Sequence, residues 1–133
     1  MRVLMGLAAA WLMTAGAAVA ASQFDLDCTG SKAVASSGAA PSEAPWREHL
    51  RVDLQVGEYC QDDCGKLQLM LAALPNIIVF ENAEDDQAKD FTAVSRETGE
   101  YYSTHLAKAS LEGWTIKGVC NPAPFSGIPI LTR

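Results

Sequence analysis

The residues of this chain best suited to chemistry are four cysteines, Cys28, Cys60, Cys64 and Cys120, and two histidines, His49 and His105. Cys60 and Cys64 stand in C-x-x-x-C spacing, one residue wider than the C-x-x-C of thioredoxin-like oxidoreductases. With His49, His105 or Met70 as a further ligand, the pair would make a soft site suited to copper. The competing chemistry is cross-linking, because an even number of cysteines behind an export signal reads as structural disulfides. Four cysteines allow three pairings. The nearest pair, Cys60 with Cys64, is favoured, which leaves Cys28 with Cys120 to tie an early segment to a late one. In the chain-entropy picture the long bridge contributes about 4.5 kcal/mol and the short one about 2 kcal/mol. Residues four apart in a strand lie about 13 Å apart, whereas bridged Cα atoms lie within about 7 Å. Cys60 to Gly65 must therefore turn, and Asp62, Asp63 and Gly65 are turn residues.

The export signal is read from the first twenty residues. Arg2 supplies a positive start, Val3 to Met13 is an uncharged apolar run, and Ala18-Val19-Ala20 has the small-x-small form of a cleavage site. The apolar run is shorter than the roughly 20 residues of a membrane-spanning helix. Cleavage after Ala20 would leave one domain, 21–133, with no membrane span, placed in the periplasm or secreted. Loss of Arg2 would take the formal charge from −6 to −7. That balance disfavours nucleic acid, whose phosphates call for basic surface. It is compatible with a cationic envelope protein as partner.

Alternation sets the elements that would carry these residues. Gln23 to Thr29 reads as a strand with Phe24, Leu26 and Cys28 on one face and Asp25 and Asp27 on the other. Gly30 to Pro45 is small and polar and reads as a flexible loop. Trp46 to Val56 is the clearest strand, with Leu50 and Val52 opposite His49, Arg51 and Asp53. Residues 66–74 fit a strand or a helix. The Pro75-Asn76 turn and the β-prone Ile77 to Phe80 favour the strand. Residues 81–90 read as an acidic loop. Phe91 to Arg96 and Glu100 to Ala107 read as a hairpin with Gly99 at a positive-φ position. Gly113 to Cys120 is the last strand, and the prolines of 121–129 argue against regular structure there. The sum is a mostly β domain of six or seven strands: a single antiparallel sheet curled into a sandwich or partly closed barrel, stapled by disulfides.

The pieces Phe24-Asp25-Leu26-x-Cys28-x-Gly30, Tyr59-Cys60-x-x-x-Cys64, Arg96-x-Thr98-Gly99-x-Tyr101 and Gly118-x-Cys120 together resemble small exported bacterial proteins of unknown function. The resemblance implies an exported domain and brings no activity, cofactor or catalytic residue. A fainter similarity, through the Gly-and-Tyr hairpin, is to small β-barrel lysozyme inhibitors of the periplasm. Thr98-Gly99-Glu100-Tyr101 departs from that motif in its spacing and its first residue.

Catalytic chemistry has little support in the residues. Ser103, His105 and Asp53 could be drawn as a hydrolytic set, but serine and aspartate are common enough for that to arise by chance. No nucleophile elbow, zinc motif or phosphate loop is present. Glu84, Asp85 and Asp86 offer hard oxygens for calcium without the spacing of an EF-hand loop. Trp46, Trp114, Tyr101 and Tyr102 could form a binding surface or a core. Tyr101 and Tyr102, as neighbours in a strand, must face opposite ways. The sequence thus implies no catalytic residues, cofactor or metal. It implies a non-catalytic binding or envelope-structural domain, with redox or copper chemistry at Cys60 and Cys64 as the alternative.

Overall fold

The computed structural model describes residues 21–129; the expected signal segment, 1–20, lies outside them. Nine strands follow in order: β1 (Gln23–Ala35), β2 (Ser42–Asp53), β3 (Glu58–Gln61), β4 (Leu67–Leu69), β5 (Ala72–Ala73), β6 (Ile77–Glu84), β7 (Ala88–Ser95), β8 (Glu100–Ala107) and β9 (Gly113–Ala123). They form one antiparallel sheet in the order β4-β3-β2-β1-β9-β8-β7-β6-β5, curled into a half-barrel. Two meanders, β1–β4 and β5–β9, are thus joined side by side through the first and last strands. Among the described residues no helix is long and apolar enough to cross a membrane.

The inward faces follow the alternation of the sequence. Phe24, Leu26 and Cys28 from β1, Leu50 and Val52 from β2, Ile78 and Phe80 from β6, and Tyr101, Ile116 and Cys120 from β8 and β9 share one buried cluster. The curl brings Tyr59 of β3 against Phe80 of β6, with ring centroids 4.7 Å apart. At one end the two edges are stitched by the chain itself. Met70 N–H donates to Gly57 O at 3.0 Å, and Leu71 N–H to Val79 O at 3.0 Å. The run through β4 and β5 therefore changes partner between adjacent residues. Beyond it, nothing pairs β3 with β6, and the barrel has an open seam.

Three expectations from the sequence are corrected. The loop expected at 30–45 is mostly strand: β1 runs on to Ala35, β2 begins at Ser42, and the turn between them is 36–41. Its small side chains offered no hydrophobic signal, but β9 pairs with β1 from Asp25 to Ala35 and supplies backbone partners along that length. The acidic loop 81–90 is likewise a hairpin, turned at 85–87, where Asp85 Oδ1 accepts the N–H groups of Gln87 and Ala88 at 2.7 and 2.8 Å. The first part of the proline tail, 121–123, continues β9. Cys120 N–H points to Gly99 O on the β8 side, so two residues on the Pro122 nitrogen faces the same way, where β8 has ended. Its missing donor costs nothing there. The ambiguous 66–74 segment resolves as the short strands β4 and β5, as favoured.

Both expected disulfides are present. Cys28 and Cys120 are directly opposed on β1 and β9, with Cα atoms 3.9 Å apart and a sequence separation of 92. Because Cys120 turns its backbone hydrogen bond to Gly99, the two cysteines form the close, non-hydrogen-bonded type of antiparallel pair. Cys60–Cys64 closes the expected tight turn, in which Asp62 and Cys64 adopt φ of 51° and 58°. Cys120→Ser is expected to lower unfolding free energy by about 4 kcal/mol, from the long closed loop, and Cys64→Ser by about 2 kcal/mol. Urea unfolding monitored by tryptophan fluorescence checks both the size and the order.

Candidate functional site

One transverse row of the sheet carries two stacked rings across a pair of glycines, and its Tyr101 lines a cleft. Trp46 on β2 lies opposite Gly30 on β1, Gly30 opposite Gly118 on β9, and Gly118 opposite Tyr101 on β8. Each step between strands is about 4.8 Å. Two residues without side chains therefore separate the two rings, and the indole crosses them to stack on Tyr101 at 4.8 Å and 21°. The gap needs glycine. A Cβ on Gly118 would sit 2.5 Å from Thr29 O and 3.2 Å from the Trp46 ring, and one on Gly30 would sit 2.1 Å from Lys117 O.

The rows toward the open end are polar. Thr92 and Ser103, opposite one another, share a hydroxyl contact of 2.6 Å. In the next row His105 Nδ1 meets Asp90 Oδ1 at 2.6 Å, and the imidazole stacks 5.8 Å from the Trp114 ring. Lys32 Nζ lies over Trp114, 4.8 Å from its centroid. A bulge between Val79 and Glu81 resets the β6 register, so Phe80 is buried inward while Glu81 comes opposite Thr92.

Along the open seam lies a cleft of about 230 Å³, with Tyr59, Phe80, Tyr101 and Trp114 among its walls, Thr92 and Ser103 as its hydroxyls, and Glu48, Gln61, Gln68 and Glu81 as its charged and amide groups. Glu48 occupies a position in phase with Leu50 and Val52. Its Oε1 is shielded from solvent and has no hydrogen-bond partner. Burial, first, and then the Asp62 carboxylate push its pKa up, against the lowering effect of a Gln61 hydrogen bond. Burial, Glu81 and Glu48 together push Tyr59 up to about 12, and Tyr101 is raised by burial and by the same two carboxylates. The cleft is therefore a place of negative potential with aromatic walls.

On the outer face a second cluster ties down the end of the described chain. His49 Nδ1 lies 2.6 Å from Asp27 Oδ1, and its Nε2 lies 2.9 Å from Asp25 Oδ2. Asp25 is only 2 % exposed, covered by the segment after β9. Ser126 donates to it through both its N–H (3.1 Å) and its hydroxyl (2.5 Å), and Arg51 Nη1 donates to Gly127 O at 2.9 Å. The hydroxyl meets a carboxylate and not the imidazole, so the order of groups is not that of a nucleophilic triad.

The residues singled out in the sequence are distributed as follows. Ser103, His105 and Asp53 do not converge: Ser103 meets Thr92, His105 meets Asp90, and Asp53 accepts from Gln23 and from the N–H of Gln55, both at 2.9 Å. Glu84 pairs with Lys108 at 2.9 Å, while Asp85 caps its turn. Among the described residues no group of three His, Cys, Asp or Glu side chains is arranged to hold a metal ion. Cys60 and Cys64 are bonded to each other and 0 % and 1 % exposed. Trp46, Trp114 and Tyr101 line the inner face, while Tyr102 faces out, 41 % exposed. The hairpin motif is structural: Gly99, at φ 76°, packs its backbone on Cys120, and Arg96 Nη1 donates to Leu74 O at 3.0 Å. Glu48, Gln61 and Gln68 escaped the sequence reading. The one signal was a glutamate two residues ahead of Leu50, in phase with the core.

The outer cluster predicts a pH dependence. A neutral imidazole has one N–H, so engaging both carboxylates as a donor requires the imidazolium. The Asp27 hydrogen bond raises the His49 pKa most, burial opposes it, and Asp25 adds to the rise. The native state therefore holds this proton at pH values where the unfolded chain has released it. The contribution is full below about pH 6.5 and is lost as pH rises through the raised folded value. Thermal unfolding between about pH 5.5 and about pH 9 should show a decline that His49→Gln flattens; parallel curves for the two proteins would contradict this.

No known family model, characterised protein or solved structure matches the chain.

Proposed function

We propose that this is an exported, non-catalytic binding domain, periplasmic or secreted, which receives a protein partner on the concave face of its half-barrel. The observation that carries the reading is the open seam. A closed barrel would fill its interior with side chains, whereas here the inner face keeps a cleft with a carboxylate oxygen left unpartnered. Buried polar groups are nearly always satisfied in folded proteins, so an orphaned one in a cleft supports a ligand that completes it. Two disulfides and the leader pattern of residues 1–20 support an oxidising compartment. The acidity of the chain supports a cationic envelope protein as the partner.

Immobilised exported protein is expected to retain such a partner from an envelope extract at about 150 mM salt. Gln68→Trp, which fills the mouth of the cleft, should reduce retention by about tenfold or more. Absence of any retained protein, or full retention by the Trp variant, would overturn the reading. A redox role for Cys60–Cys64 is the rival, and burial of both sulfurs works against thiolate attack on it. Mass spectrometry after alkylation of the native, unreduced protein should find both disulfides intact and no modified cysteine. An alkylated Cys60 or Cys64 would favour the rival.

A further inference from the structure

We infer that the group received in the cleft is the guanidinium of an arginine on the partner, with Glu48 and Glu81 as its counter-charges. This deepens the binding reading and rests on it. Three ligand chemistries could be asked of a cleft with aromatic walls: a sugar or base stacked on a ring, an apolar side chain, or a cation. Stacking needs an open ring face. Each ring already has a ring or a cation against it: Trp46 and Tyr101 stack on each other, Tyr59 is tilted against Phe80, and Trp114 has His105 stacked on it and Lys32 over it. An apolar group would leave the orphaned Glu48 oxygen buried without a donor, the costly outcome for a charged acceptor. A cation supplies both the charge and the donors.

The residues distinguish arginine from lysine. Among the described residues the cleft lining holds no lysine or arginine. Lys32, the cation of the inner face of β1, stands over Trp114 and makes no ion pair with Glu48. The acceptors converge from three strands, Glu48 on β2, Tyr59 on β3 and Glu81 on β6, and both carboxylates act electrostatically on both phenols. A planar fork with five donors suits several acceptors at once, and a guanidinium sheds water more readily than an ammonium on entering a space walled by rings. Binding requires ionised Glu48, whose pKa is raised by burial and by Asp62. With Asp62, Glu81, Tyr59 and Tyr101 facing it, affinity should fall as the pH is lowered through that raised value.

The test uses n-butylguanidinium and its neutral counterpart n-butylurea as probes, followed by NMR of the side chains in the isotope-labelled protein. Saturable shifts of Tyr59, Tyr101 and Trp114 are expected with butylguanidinium and not with butylurea. Glu48→Gln should weaken binding about tenfold, or about 1.4 kcal/mol, while its melting temperature stays equal or rises, because a desolvated charge with one oxygen lacking a donor has been removed. An equal response to butylurea, a response unchanged in Glu48→Gln, saturable shifts with a short oligosaccharide in place of the cation, or no response at all would each overturn the inference. Partner retention that remains sensitive to Gln68→Trp while butylguanidinium fails would leave the cleft as the binding surface and remove arginine as what it recognises.

Discussion

The β1–β9 ladder is the constraint on which the rest of the molecule depends. Each meander is local, with every strand beside its sequence neighbour, and would form a sheet of its own. Only the pairing of the first strand with the last makes the two into one sheet, and it does so across 92 residues of separation, fixed by the Cys28–Cys120 bond within the ladder. Closing so long a loop is entropically costly for an unlinked chain. The covalent bond removes much of that cost, which suits a domain too small to bury a large core. The same ladder places Gly30 against Gly118, and hence lets the Trp46 ring reach Tyr101. The seating of Tyr101, which lines the cleft, is therefore a consequence of how the chain ends meet.

The strands with a hydrophobic beat were legible: Phe24-x-Leu26-x-Cys28, Leu50-x-Val52, and the hairpin around Gly99 all lie where alternation placed them. The short cysteine turn was legible from distance alone, since an extended Cys60-to-Cys64 segment could not have been bridged. What alternation missed were strands held by backbone partners instead of side-chain burial. Ser31 to Ala35 carries no apolar stripe, yet each residue is paired with β9, and pairing partners remote in sequence leave no local signal. The bulge at Phe80 was hidden for the same reason, because a register shift is a property of two strands.

The candidate site was less legible than the fold. Its aromatic residues were visible as types but not as a set, because Tyr59, Phe80, Tyr101 and Trp114 meet only after the sheet curls. The histidines, the natural objects of attention for chemistry, are both engaged by aspartates, His49 on the outer face and His105 at the open end. The informative residue was a glutamate where the period of β2 calls for a core side chain. A charge in phase with the core disagrees with the local pattern, and such disagreements concentrate where stability is given up for function.

The short disulfide acquires a role in this picture that neither redox chemistry nor simple stapling describes. β3 pairs with β2 through Gln61 and then stops, because the bridged turn drives Asp62 and Cys64 into left-handed conformations that no strand can continue. Across the interior β6 runs on to Glu84. The seam opens where one wall ends and the other does not. Had the chain remained extended past Gln61, β3 would have lengthened alongside β2 and narrowed that gap, and Glu48 would have faced a closed interior, where a carboxylate with an oxygen lacking a donor is least tolerable. The staple after β3 thus holds the barrel open at the level of Glu48. Cys60 and Cys64 border the candidate cleft by ending a strand beside it.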